Sequence, residues 1–317
     1  MLTICLVVLF FAAVNIGSLK VSFRELMRGL FVEYDDTVAT IYDLRFPRII
    51  ISMLAGAAIA VSGVLFQAVL KNPLADPGII GISSGASFTA VIITAFAPTL
   101  YFFTPIAAFA GGVIAFFMVY CLSWKGGLSP MRIILTGVAV NSLFTGLSSA
   151  LNSMSGGDRT GVAAIVEANI TQKTWDDVMT LLPYVIAGLF LAMLFTQECN
   201  LLSLEDKTAR SLGVNVNVTR IVISLVAVLL ASISTAVAGA ISFLGLIVPH
   251  IGRILVGSDH KMLLPFSAVF GAFTFLLADT IGRTIAAPNE VSAAVIMSVV
   301  GGPFFILLLR RSGKYGK

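Results

Sequence analysis

Charged side chains are scarce in this chain. Only 11% of its 317 residues are Asp, Glu, Lys or Arg, against about 25% in a soluble domain. Hydrophobic residues make up 58%, more apolar surface than a water-soluble core can hide, so a soluble enzyme or binding module is excluded. The chain is read as all-α and polytopic in a membrane, a single transmembrane domain over 1–317. Ligand-type residues are also few: two histidines and three cysteines. Cys5, Cys121 and Cys199 stand in or beside apolar runs with no pair at metal-ligand spacing, so they are read as small packing residues and no metal site is expected. The formal charge of +4 is too small to argue for nucleic acid. No HExxH is present. Gly81–Ser87, GISSGAS, has the glycines of a phosphate loop without its Lys-Ser/Thr ending, so the chain has no recognisable ATP site and no catalytic residues of its own.

What the chain does have is organised around 44–86. Arg45 and Arg48 flank Pro47, and 49–70 then carries no charge. At about 1.5 Å per residue, that run covers the roughly 30 Å hydrocarbon core of a bilayer. Lys71-Asn72-Pro73 stops it, because proline removes a donor and disfavours a helical residue before it. Pro77-Gly78 follow, and a small-residue segment re-enters an apolar run.

Charge-free runs and breakers predict ten spans, at 2–19, 46–70, 79–97, 101–123, 131–151, 178–196, 218–241, 242–256, 262–281 and 291–309. The first lacks a basic leader and a small-residue cleavage site and is read as retained. Between the first two, 21–34 reads as a short amphipathic surface helix. The break between the seventh and eighth is expected near Gly245 and Pro249. Glycines inside the spans, among them Gly56, Gly63, Gly111, Gly146 and Gly302, suggest close helix packing. An even span count puts both termini on one side. If that side is the cytoplasm, it carries twelve Lys and Arg against eight outside, the sense of the positive-inside rule. Both termini are then expected inside, and the chain is expected in the cytoplasmic membrane.

The residues assembled so far resemble one family, the FecCD-type permease subunits of ATP-binding-cassette importers for ferric siderophores, haem and cobalamin. The resemblance rests on LRFPR (44–48), GAAIAVSG-x3-Q-x4-NPLADP-x3-G (56–81), SLGV (211–214), GAISFLGLIVPHIGR (239–253), LLP-x7-G (263–273), AD-x3-R (278–283) and GGPFFILLL (301–309). It implies a fold like that of the cobalamin importer's permease. Ten helices per subunit form a central path with a second permease subunit, identical or a paralogue. Two ATPase subunits carry the ATP and Mg, and a substrate-binding lipoprotein or periplasmic protein delivers the cargo. No cofactor is bound by this chain.

The resemblance marks three constellations, each with a plainer alternative. Arg45, Arg48 and Arg283 would receive carboxylates of the binding protein, which the planar guanidinium fork suits. Alternatively Arg45 and Arg48 anchor at the headgroups, and Arg283 pairs with Asp279 four residues earlier. The segment 201–215 would seat on the ATPase as a coupling knob through Leu204, Ala209, Arg210, Ser211, Leu212 and Gly213, a short helix ending at Gly213; otherwise it is a solvated loop. Ser129 and Pro130 would form a cytoplasmic gate, and Asn72 and Pro73 would line the path, or both pairs merely turn the chain. His250 reads as a packed polar residue.

Relatives often carry Trp-x-x-Gly-Ser upstream of the sixth span. Here 167–178 reads EANITQKTWDDV, which keeps Trp175 but lacks that pattern, and TQKTWDDV resembles haem permeases of Gram-positive bacteria. Iron chelate, siderophore or haem, is the expected cargo, with cobalamin the alternative. An ion-coupled secondary transporter is the rival from another class. Such a carrier needs buried ionisable groups, and the sequence offers only Asp279.

Overall fold

The computed structural model describes residues 1–16, 21–32, 35–123, 130–154, 160–287 and 289–312. These residues form fifteen α-helices and no strand. In chain order they are α1 (Leu2–Asn15), α2 (Phe23–Phe31), α3 (Asp36–Leu44), α4 (Phe46–Leu70), α5 (Ile82–Phe96), α6 (Thr104–Ser123), α7 (Pro130–Met154), α8 (Thr160–Val166), α9 (Trp175–Leu194), α10 (Thr196–Leu202), α11 (Asp206–Ser211), α12 (Val216–Ala238), α13 (Leu244–Val256), α14 (His260–Ile285) and α15 (Ala293–Ser312). Each of the ten expected spans is matched by an apolar helix. Six helical stretches are long and apolar enough to cross a membrane, and α1, α5, α13 and α15 are shorter apolar helices.

The surface helix expected at 21–34 is α2. Ser22 Oγ accepts from Glu25 N and the Glu25 carboxylate accepts from Ser22 N, a closed capping box. The sequence reading missed α3, which Asp35 starts by accepting from the N–H groups of Thr37 and Val38.

The bundle is built around α4. Twenty-one of its 25 residues are buried, as expected of a helix apolar on every side. It packs chiefly on α14 and α12, with α13 and α9 completing the sheath. Where it meets α14, Gly56 faces Gly271, and where it meets α13, Gly63 faces Gly245. A methyl group at either α4 glycine would overlap the partner carbonyl. Such backbone-to-backbone approach supplies the contact that lipid gives no hydrophobic drive to replace. Gly146 on α7 and Gly302 on α15 have nothing within 4 Å, so these two lie outside that packing.

Two interruptions lie beside each other. The first follows α4, where Lys71 adopts a left-handed conformation (φ 48°). Asn72 N then reaches Gln67 O (3.2 Å), and Asn72 Oδ1 accepts from Leu74 N (3.0 Å). The second runs from Gly239 to Phe243, both at positive φ. It comes earlier than expected, and Pro249 lies inside α13. The reason is a bond between helices: Pro249 cannot donate to Gly245 O, and Gln67 Nε2 of α4 donates to that carbonyl instead (3.2 Å). The cysteine reading holds for Cys199, which is buried in the core. Cys5 and Cys121 are exposed on the outside of the bundle.

The packing predicts a contrast in detergent. Gly63→Val should abolish monodisperse, folded protein, whereas Gly146→Val should leave it intact. Fluorescence-detected size exclusion reads both, and equal losses would contradict the account.

Candidate functional site

The expected functional residues gather at the two ends of α4. At its first turn, Pro47 pre-sets the backbone and Arg48 follows. A cation there opposes the helix dipole, and Arg48 is only 6% exposed. The compensation is direct. Arg48 Nε and Nη2 donate to Asp279 Oδ1 at 3.0 and 2.8 Å, and Nη1 donates to Glu290 Oε2 at 2.7 Å. Asp279 is fully buried on α14 and also faces Arg283 Nε at 3.3 Å. Glu290 accepts in addition from Thr171 Oγ1 at 2.9 Å, which draws in the segment before α9. Two guanidinium groups thus meet two carboxylates.

The C-terminal carbonyls of α1 have no intrahelical donors. Arg45 Nη1 donates to Val14 O (2.5 Å) and Arg283 Nη1 to Ala13 O (3.3 Å). The three arginines are therefore brought together, but two of them point inward. This revises the expectation of a surface trio. The Arg283–Asp279 pair set against docking is present, and Arg48 lies closer still to the same carboxylate. Arg45 is half-buried at the rim.

At the other end of α4, Lys71 Nζ pairs with Asp206 Oδ1 (2.8 Å) and donates to Leu204 O. Arg220 Nη2 of α12 meets the same Asp206 oxygen (2.8 Å). The short helix expected in 201–215 is α11. It closes at Gly213 (φ 86°) as the N–H of Gly213 reaches Arg210 O and that of Val214 reaches Ala209 O. Ala209 is buried beneath it, while Leu204, Arg210, Ser211, Leu212 and Gly213 are exposed. The result is a projecting turn with an apolar tip, Leu212 at 58% exposure.

The gate residues are less informative. Ser129 lies outside the described residues, and Pro130 is the first residue of α7. Asn72 is buried and holds the turn after α4, while Pro73 is exposed. His250 is half-buried with its ring edge-on to Phe304 at 5.5 Å. Among the described residues, no three His, Cys, Asp or Glu side chains group as a metal site.

Sequence reasoning missed the polar node that joins the two interruptions. Asp76 is fully buried, its Oδ1 accepts from Gly78 N (2.8 Å) and Ile79 N (3.1 Å), and its Oδ2 faces Gly245. Gln67 bonds Ala75 O and Gly245 O and accepts from Arg253 Nη1 (2.5 Å). Asp279 is therefore not alone as a buried acid. The Pro-flanked, turn-like setting of Asp76 concealed it.

Burial is the largest influence on the Glu290 carboxyl and raises it, but the bond to and charge of Arg48, the Thr171 bond and the Arg283 charge together outweigh burial and hold it below the usual glutamate range. Asp206 is likewise held low, first by its bond to Lys71, with Arg220 adding to this against a smaller effect of burial.

Comparison with known proteins gives a consistent result. The FecCD transport family matches residues 5–311. A protein of Staphylococcus aureus strain MSSA476 named "Probable heme-iron transport system permease protein IsdF" is 40% identical over 98% of this chain and 96% of its own length. Its counterpart in strain Newman is equally similar. A structure described as an inward-facing metal-chelate type ABC transporter matches 98% of this chain and 97% of its own, with TM-score 0.80 and 27% identity. PsaBC of Streptococcus pneumoniae, solved with a Fab, shares the fold at TM-score 0.63, 18% identity and coverage of 90% and 95%.

Removing one partner of a buried pair leaves an uncompensated charge, at a cost of about 3–5 kcal/mol. Asp279→Asn should therefore lower unfolding stability in detergent far more than Glu290→Gln, whose half-exposed carboxylate contributes under about 1 kcal/mol. A carboxyl held low stabilises above its unfolded pKa, and that contribution is lost as pH falls through the folded value. The gap between wild type and Glu290→Gln should therefore begin to close below about pH 4 and vanish once pH has fallen through the lower folded value. Equal losses for the two variants at pH 7 would contradict the burial argument.

Proposed function

Since this chain belongs to the FecCD transport family, we propose that it is the permease of an ATP-binding-cassette importer that carries haem across the cytoplasmic membrane. The observation that carries the cargo assignment is full-length similarity to a protein named for haem-iron transport. Cobalamin transport belongs to the same family but has no such support here. Ion-coupled transport is disfavoured because Asp279 is paired with Arg48 and Arg283, and Oδ1 of Asp76 is held by backbone donors.

In this reading, the Lys71 end faces the cytoplasm with both termini, and α11 seats on one of two separate ATPase subunits. ATP and Mg reside on those subunits, and this chain binds no cofactor. A second permease subunit covers faces of α7 and α15 that a single chain leaves open, where Leu135, Val138, Val295 and Val299 are exposed. The Arg48 end faces outward and receives the substrate-binding protein. Of the three docking arginines, Arg45 is the one a partner's carboxylate meets first. A second carboxylate reaches Arg48 only by taking the place of Glu290. The expected gate at Ser129 and Pro130 opens the path at the cytoplasmic side of α7, and Asn72 and Pro73 line it.

Two measurements test this. In proteoliposomes with the partner ATPase and haem-loaded binding protein, uptake should require ATP and stop with vanadate. Accumulation driven by an ion gradient without the ATPase would overturn the proposal. Arg45→Glu should weaken binding-protein affinity about tenfold at low salt, with the difference shrinking at high salt. Unchanged affinity at low salt would remove the docking role of Arg45.

A further inference from the structure

Asp206 ties the projecting turn at α11 to Lys71 at the end of α4 and to Arg220 of α12. A further tie belongs to Asn200, on α10. Asn200 Oδ1 accepts from His260 N at 2.9 Å and lies 2.7 Å from His260 Nδ1. Its Nδ2 donates to Asp259 Oδ1 at 2.7 Å. An amide oxygen only accepts, so the proton of the 2.7 Å contact sits on Nδ1 of His260. Every polar atom of the Asn200 side chain is thus engaged with the first residues of α14. Asp259 Oδ1 also caps α14 through Lys261 N (2.9 Å). His260 is 4% exposed, so this tie is held in place by packing.

Asn200 stands six residues before Asp206. The segment leading into α11 is therefore fixed to α14 at Asn200, and α11 is fixed to the end of α4 at Asp206. These two helices run antiparallel, meet backbone to backbone at Gly56 and Gly271, and are clamped again at their far ends by Arg48 and Asp279. A displacement applied to the projecting turn enters both members of a single braced pair. We infer that Asn200 is a positioning residue that passes movement of the α10–α11 segment to α14, in parallel with the Asp206–Lys71 tie to α4. This rests on the importer reading above.

The test uses the complete complex in proteoliposomes, with haemin-loaded binding protein as the probe. The readout is the ratio of stimulated to basal ATP hydrolysis, together with uptake per ATP. Neither ratio falls when a variant merely lowers the amount of folded complex. Asn200→Asp keeps an acceptor for His260 but sets a carboxylate against Asp259. It should cut stimulation about three- to tenfold. The reciprocal swap Asn200→Asp with Asp259→Asn restores a donor facing an acceptor and keeps a capping residue at 259. It should return stimulation to the wild-type ratio. Full stimulation in Asn200→Asp alone, or no recovery in the swap, would overturn the inference. Uptake by wild type without any ATPase would instead remove the importer reading beneath it.

Discussion

Arg48 and Asp279 form the contact on which the arrangement depends. An ionised group taken into an apolar helix bundle is tolerated only with a partner in good geometry. Here the guanidinium fork meets the carboxylate through Nε and Nη2. One residue lies in the first turn of α4 and the other near the last turns of α14. Their pairing fixes which end of each helix lies beside the other and at what height. With that register set, Gly56 falls opposite Gly271 and the two backbones close up. A shift by one residue would turn a side chain into that contact.

The same rule, that polar backbone at apolar depth must be satisfied within the protein, explains the two interruptions. The turn after α4 carries Asp76, which holds its own N–H groups and faces the start of α13. The carbonyl freed by Pro249 is taken by Gln67, which also carries Arg253. Neither break is complete by itself, and each supplies what the other lacks. This cross-bracing lies at the end of α4 that bears Lys71, so the turn at α11 rests on a stiff base. In the importer reading that is the end pushed by ATP hydrolysis, and the opposite end of the same helix meets the delivered cargo.

Local chemistry was legible in the sequence and distant chemistry was not. Ten apolar runs, the stop at Asn72-Pro73, the surface helix at Ser22 and the short helix closing at Gly213 all follow from neighbouring residues. Pro249 misled because the donor that lets a helix pass through it is Gln67, 182 residues earlier in the chain. Arg48 read as a surface cation for the same reason, since its two carboxylates come from α14 and the segment after it. Asn200 carries no pattern of its own, and only the meeting of α10 with α14 reveals its use. The packing of α3 was hidden by its acidic, polar start.

The central claim is that α4 and α14 move as one body. Spin labels at Leu44, adjoining the start of α4, and at Ile285, the last residue of α14, would both be solvent-accessible, at 63% and 66% exposure. Double electron–electron resonance on the complete complex, taken without nucleotide and again with ATP and vanadate, measures their separation directly. The account predicts one distance distribution under both conditions. A shift beyond the roughly 2 Å of ordinary helix sliding would show that the two helices part during the cycle and contradict it.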